Sequence, residues 1–156
     1  MTLNQVPIHQ ATGDNRIKTP WHLWLIGVLS LLWNCGGAFD YVMTETRNAT
    51  YLSAFTPEQL AYFQAFPKWA VATWAISVWG GVFGSFLLLL RSLWAVPVLG
   101  VSLASMAPTF FYNYVLSHGY KIMGGAGALA FTGAIVLVGV GLLLYARKLR
   151  QTGVLR

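Results

Sequence analysis

The chain is 156 residues long, 56% hydrophobic and only 9% charged, with a formal net charge of +6. An average soluble domain is roughly 25% charged, so a chain with four acidic residues cannot cover a water-facing surface, and lipid must be its solvent over most of its length. The positive balance does not point to nucleic acid. Six of the ten basic residues lie in the first 18 and last ten positions, flanking apolar runs as bilayer orientation requires.

Residues 1–20 read as a polar cytoplasmic tail. A polar lead of this length, followed by an apolar run longer than the ~7–15 residues of a signal core, argues against a cleavable signal peptide. The first apolar run spans 21–43, and Thr19-Pro20 reads as a cap residue with proline at the first helical position. Residues 44–68 form a long connection. Within it, Thr56-Pro57-Glu58-Gln59 reads as a capping box, and Leu60, Tyr62, Phe63 and Phe66 follow. A short helix at the outer membrane surface, lying as a lid over the helix ends, is expected there. Asn48-Ala49-Thr50 matches a glycosylation acceptor, a string too short to carry weight.

The second run spans 69–90, with Phe66-Pro67-Lys68-Trp69 as its start. The third spans 93–116 and is separated from the second by only Arg91-Ser92, which makes a tight antiparallel hairpin. Pro97 and Pro108 are expected to kink it. The fourth spans 122–145, and a basic cytoplasmic tail closes the chain at 147–156. Each run meets the ~17–25 residues needed to cross a bilayer, and in lipid such segments must be helices. The fold class expected is therefore all-α: a four-transmembrane-helix bundle over 21–146.

Orientation follows from Lys and Arg. With both termini inside, Arg16, Lys18, Arg91, Arg147, Lys148, Arg150 and Arg156 face the cytoplasm, whereas Arg47, Lys68 and Lys121 face outward. This bias predicts a multi-pass membrane protein with both termini in the cytoplasm, N-in/C-in.

Few residues are placed to carry chemistry. Asn34 lies about 20 Å along its helix, within the hydrocarbon, where its amide is either interhelical glue or a ligand contact. Asp40 lies near the outer rim beside Tyr41, open to a structural or a solute-handling role. Tyr112, Asn113, Tyr114 and His118 gather at the same level at the end of the third helix. Asn34, Asp40, Tyr41, Asn113 and His118 are thus the candidate ligand residues of a polar pocket beneath the lid; the alternative is a hydrated aromatic rim. Gly80 with Gly84, and Gly81 with Ser85, have small-xxx-small spacing, suited to packing within the bundle or between copies. The fourth run adds several glycines. Trp69, Trp74 and Trp79 recur every five residues and wind around their helix rather than forming a stripe.

No catalytic residues are identified. His9, His22 and His118 are too dispersed to ligate a haem iron, and no serine stands in a nucleophile motif. There is no phosphate-binding glycine loop and no metal-ligand spacing. The lone Cys35 forms no internal disulfide. No cofactor or metal is expected.

Trp33-Asn34, Gly36-Gly37-Ala38-Phe39-Asp40-Tyr41 and Met43-Thr44 resemble a group of small uncharacterised four-span bacterial membrane proteins. So do Pro57-Glu58-Gln59, Val78-Trp79-Gly80-Gly81, Tyr145-Ala146-Arg147 and Gly153-Val154-Leu155-Arg156. Some of that group carry an automatic sugar-transporter label. Since sugar carriers are built from paired bundles or repeats, the resemblance implies that one four-helix unit acts as an oligomer. Two readings stand: a small-solute binding or transport unit acting as an oligomer, or an accessory or assembly subunit of a larger membrane complex. In either, the lipid bilayer is the main partner and nucleic acid is not.

Overall fold

The computed structural model describes residues 19–156; His9, Arg16 and Lys18 of the N-terminal tail lie outside the described residues. Pro20 is itself the N-cap of helix α1 (Trp21–Glu45), with an extended ψ of 138°, and its carbonyl accepts from Leu23 N–H at 3.1 Å. The helix therefore starts one residue later than a Thr19 cap implies. Pro67 plays the same part for α4 (Lys68–Leu89). In both cases proline's fixed φ and missing N–H suit a position with no intrahelical donor duty.

Between them stand α2 (Ala49–Leu52) and α3 (Pro57–Gln64). Asn48 caps α2 by accepting from Tyr51 N–H, so the asparagine of the Asn-Ala-Thr string serves as a helix start. Thr56 and Gln59 form a reciprocal capping box on α3. Helix α5 (Ala95–Phe111) continues as a π-helical turn, Tyr112–Leu116. Pro97 falls in the first turn of α5, where a missing N–H breaks no ladder. Pro108 lies inside, and the π turn begins four residues beyond it, a local irregularity of the kind proline provokes. The short α6 (Gly119–Ile122) leads to Gly124 and Gly125, both at positive φ, and then to α7 (Ala126–Gln151). That last helix runs beyond its apolar stretch through Arg147, Lys148 and Arg150. Cations in a final turn favour the negative end of the helix dipole, so the helix need not stop where the hydrophobicity does.

Four of these helices are long and apolar enough to cross a membrane, and there is no strand among the described residues. The 22 residues of α4 span about 33 Å at 1.5 Å per residue, close to the ~30 Å of a hydrocarbon core. Helix α4 packs against both α1 and α5, and α7 packs on α5.

The two ends of the bundle differ. The hairpin end holds the α4–α5 turn, the start of α1 and the chain's C-terminus. There Leu23, Leu88, Ala95, Val96, Leu142, Ala146 and Leu149 form an aliphatic core with Val154 and Leu155. Gly153, at φ 72°, ends α7 in a Schellman turn: Val154 N–H reaches Leu149 O and Gly153 N–H reaches Arg150 O. The turn folds the tail back so that Arg91 Nε donates to Val154 O at 3.1 Å. The connector end, opposite, holds α2, α3, α6 and the π turn.

Candidate functional site

The helix seams are made by small residues. A Cβ on Gly80 would stand 2.9 Å from Ser102 Cβ, and one on Gly84 would enter the Leu99 side chain; these glycines bring α4 and α5 together. Gly81 instead faces Asn34 of α1. The Asn34 amide donates to Ser30 O at 2.8 Å and to Ser85 Oγ at 3.1 Å. Asn34 is thus the polar tie between α1 and α4, beside a cavity of only about 30 Å³ that Trp33, Met106 and Ile135 also line. Two further pairs serve α4 and α5: Ser102 Oγ donates to Ser77 O, and Thr73 and Thr109 share a hydroxyl bond.

The other expected site residues fall into separate groups. Asp40 accepts from Tyr51 OH at 2.5 Å, which holds α2 against α1. The Tyr51 phenol is pushed up to about 12, first by burial and then by its bond to the Asp40 carboxylate and that group's charge, so it remains a donor throughout the physiological range. Tyr41 packs edge-on against Trp74, ring centroids 5.0 Å apart. Asn113 Oδ1 accepts from Tyr62 OH at 2.7 Å, and Ser117 Oγ is 2.9 Å from the same hydroxyl. Burial raises the Tyr62 pKa, the Ser117 bond opposing it. Gln59 Nε2 adds a bond to Ile122 O, and Tyr112 OH one to Ala65 O. Helix α3 is therefore docked on the π turn and α6. His118 is exposed at the start of α6, and no hydrogen bond joins it to Asp40, Tyr41 or Asn113 among the described residues. Aromatic rings lace these pieces together, running from Phe39 through Tyr51, Phe55, Phe63 and Phe66 to Tyr112.

Residues of α2 and α3, with the ends of α1 and α4, line a half-open cavity of about 380 Å³. Thr44, Glu45 and Arg47 line it from the end of α1, and Lys68 and Val71 from the start of α4. Leu52 of α2, with Leu60, Phe63, Gln64 and Phe66, completes the wall. Thr44 is only 7% exposed, and its hydroxyl oxygen has no hydrogen-bond partner. A buried hydroxyl left unpaired costs about 1–3 kcal/mol. None of these lining residues stands out in the sequence: Arg47 and Lys68 look like ordinary flanking cations, and Thr44 like the last turn of a span. The signal lies in the meeting of two helix ends that the chain separates by more than twenty residues. No group of three or more His, Cys, Asp or Glu could hold a metal ion among the described residues.

Helices of bilayer length with a broad apolar exterior define a multi-pass helical membrane protein. Comparison with family models, curated proteins and solved structures returns no match for this chain.

Proposed function

We propose that the chain is a non-catalytic binding unit of a bacterial inner membrane that takes a small solute into the connector-end cavity. The observation that carries this reading is the cavity itself. Its volume of about 380 Å³ lies in the ~300–1,000 Å³ range of small-ligand sites, and its wall mixes apolar surface with a few polar groups, as such sites do. The unpaired Thr44 hydroxyl borders it. Asp40 and Asn113 act in this reading as anchors: through Tyr51 and Tyr62 they hold α2 and α3 in place as walls. The connector end faces outward and both termini face the cytoplasm, as the distribution of Lys and Arg supports. Helix α3 then lies at the outer surface. The aliphatic core closes the hairpin end, so one copy holds solute at one face, and passage across the membrane is the work of an oligomer.

A second reading, an accessory subunit of a larger complex, is favoured by α7. Phe131 is 62% exposed and Leu137 74%, an apolar flank suited to a partner helix as well as to lipid. One experiment separates the two. Gentle extraction from native membrane, followed by mass spectrometry, should find a small molecule bound to wild type and absent from Val71→Phe, which fills the cavity. A partner protein at fixed stoichiometry, with no bound small molecule in either, would overturn the binding reading in favour of the second.

A further inference from the structure

The charges around the cavity indicate the chemistry of its occupant. Arg47 and Lys68 line it from two different helix ends, against the single carboxylate of Glu45. Lys68 opens α4, so the positive end of that helix's dipole adds to the two cations. Leu60, Phe63 and Val71 supply apolar lining beside them, Val71 one turn along α4 from Lys68.

The backbone at Arg47 supports the same conclusion. Arg47 has φ 54°, and its N–H bonds Thr44 O while Asn48 N–H bonds Met43 O. This is a Schellman turn whose left-handed position is normally filled by glycine, because a side chain there is strained. Arg91 occupies the same position after α4, at φ 60°, and its guanidinium has a visible task, holding the C-terminal tail at Val154 O. Arg47 thus carries a backbone cost that glycine would avoid, and it lines the cavity.

We propose that the cavity binds an acidic amphiphile, its carboxylate or phosphate held between Arg47 and Lys68 and its apolar body lying against Leu60, Phe63 and Val71. This rests on the binding reading above and adds the ligand class. The acidic group belongs either to a free amphiphile or to the head of an anionic lipid. Guanidinium and ammonium groups bind such heads through charge-assisted hydrogen bonds, roughly twice as strong as neutral ones.

The test is thermal unfolding of the protein in phosphatidylcholine nanodiscs with octanoate, octyl phosphate, octanol or octylamine, and in discs containing phosphatidylglycerol. The acids should raise Tm and the alcohol and amine should not. Arg47→Gly and Lys68→Gln should each weaken acid binding ~10-fold or more, and Glu45→Gln should tighten it. Arg47→Gly also relieves the strained backbone, so its ligand-free Tm should hold or rise, which separates lost binding from lost fold. If phosphatidylglycerol raises Tm and removes the response to free acid, the lipid is the occupant. If octanol or octylamine stabilises as well as the acids and Val71→Phe abolishes the effect, the acidic assignment is wrong and the binding reading stands. No response to either acid or to phosphatidylglycerol overturns the assignment. If native extraction also yields no bound molecule, both fall.

Discussion

The Asn34 amide fits between helices because Gly81 has no side chain. It donates to Ser85 Oγ across the α1–α4 seam, and a Cβ on Gly81 would run into its carbonyl oxygen. Interhelical hydrogen bonds of this kind are worth ~0.6–2 kcal/mol in a membrane protein. Asn34→Ala should therefore cost about 1 kcal/mol, and Gly81→Ala about 1–3 kcal/mol through overpacking. The double variant should cost less than the sum, because removing the amide makes room for the new methyl. Reversible unfolding in mixed micelles measures the cycle, and strictly additive losses would show that the two residues do not share one space. Sequence singled out Asn34 as a polar residue within an apolar span and left open whether it ties helices or touches ligand. Only the position of Ser85 opposite it supplies the tie.

Among the elements, α3 shows how a short helix of eight residues is kept in place. The capping box fixes its start, but eight residues are too few for a stable isolated helix, so docking must hold it. Tyr62 is the main fastener. It is 8% exposed, bonded to Asn113 and close to Ser117, and its hydroxyl fills the space that a side chain on Gly119 would need. Tyr62→Phe keeps the ring and loses the hydrogen bonds, a change of about 1 kcal/mol. Hydrogen exchange should then speed up within 57–64 and leave the interior of α4 protected. Unchanged exchange in α3 would mean that ring packing alone holds it. The π turn has a part in this docking, since Asn113 and the Tyr112 ring that meets Phe66 both lie in it. Proline kinking is legible from Pro108 in the sequence; a π turn four residues later is not, because it depends on what the freed backbone finds to bond with.

At the scale of the whole molecule, the bundle is aliphatic and closed at one end, polar and aromatic at the other. The distribution of basic residues predicts that the closed end faces the cytoplasm. A phosphatase reporter fused after Arg156 should be inactive and a cytoplasmic fluorescent reporter bright; the opposite pair of results would invert the orientation and place the cavity inside. The class of protein and its four spans could be read from composition and run length, because hydrophobicity is a sum over residues and lipid imposes helices on any run long enough. Whereas α7 begins at Ala126, four residues after the start of its apolar run, because Gly124 and Gly125 turn the chain first, the starts of α1 and α4 were legible to within a residue from Pro20 and Pro67, since proline acts locally. The C-terminus was not: Val154 and Leu155 look like part of a frayed tail and are in fact packed into the core, through a turn at Gly153 and a bond to Arg91 sixty-three residues away. The candidate site followed the same division. Sequence alone determined the multi-pass class and the four spans, properties that accumulate along the chain. Tertiary structure alone decided that Asp40 and Asn113 serve separate fastenings and that Thr44, Arg47 and Lys68 surround one cavity, because side chains distant in sequence become neighbours only when helix packing sets the rotation of each helix and the closure of each turn.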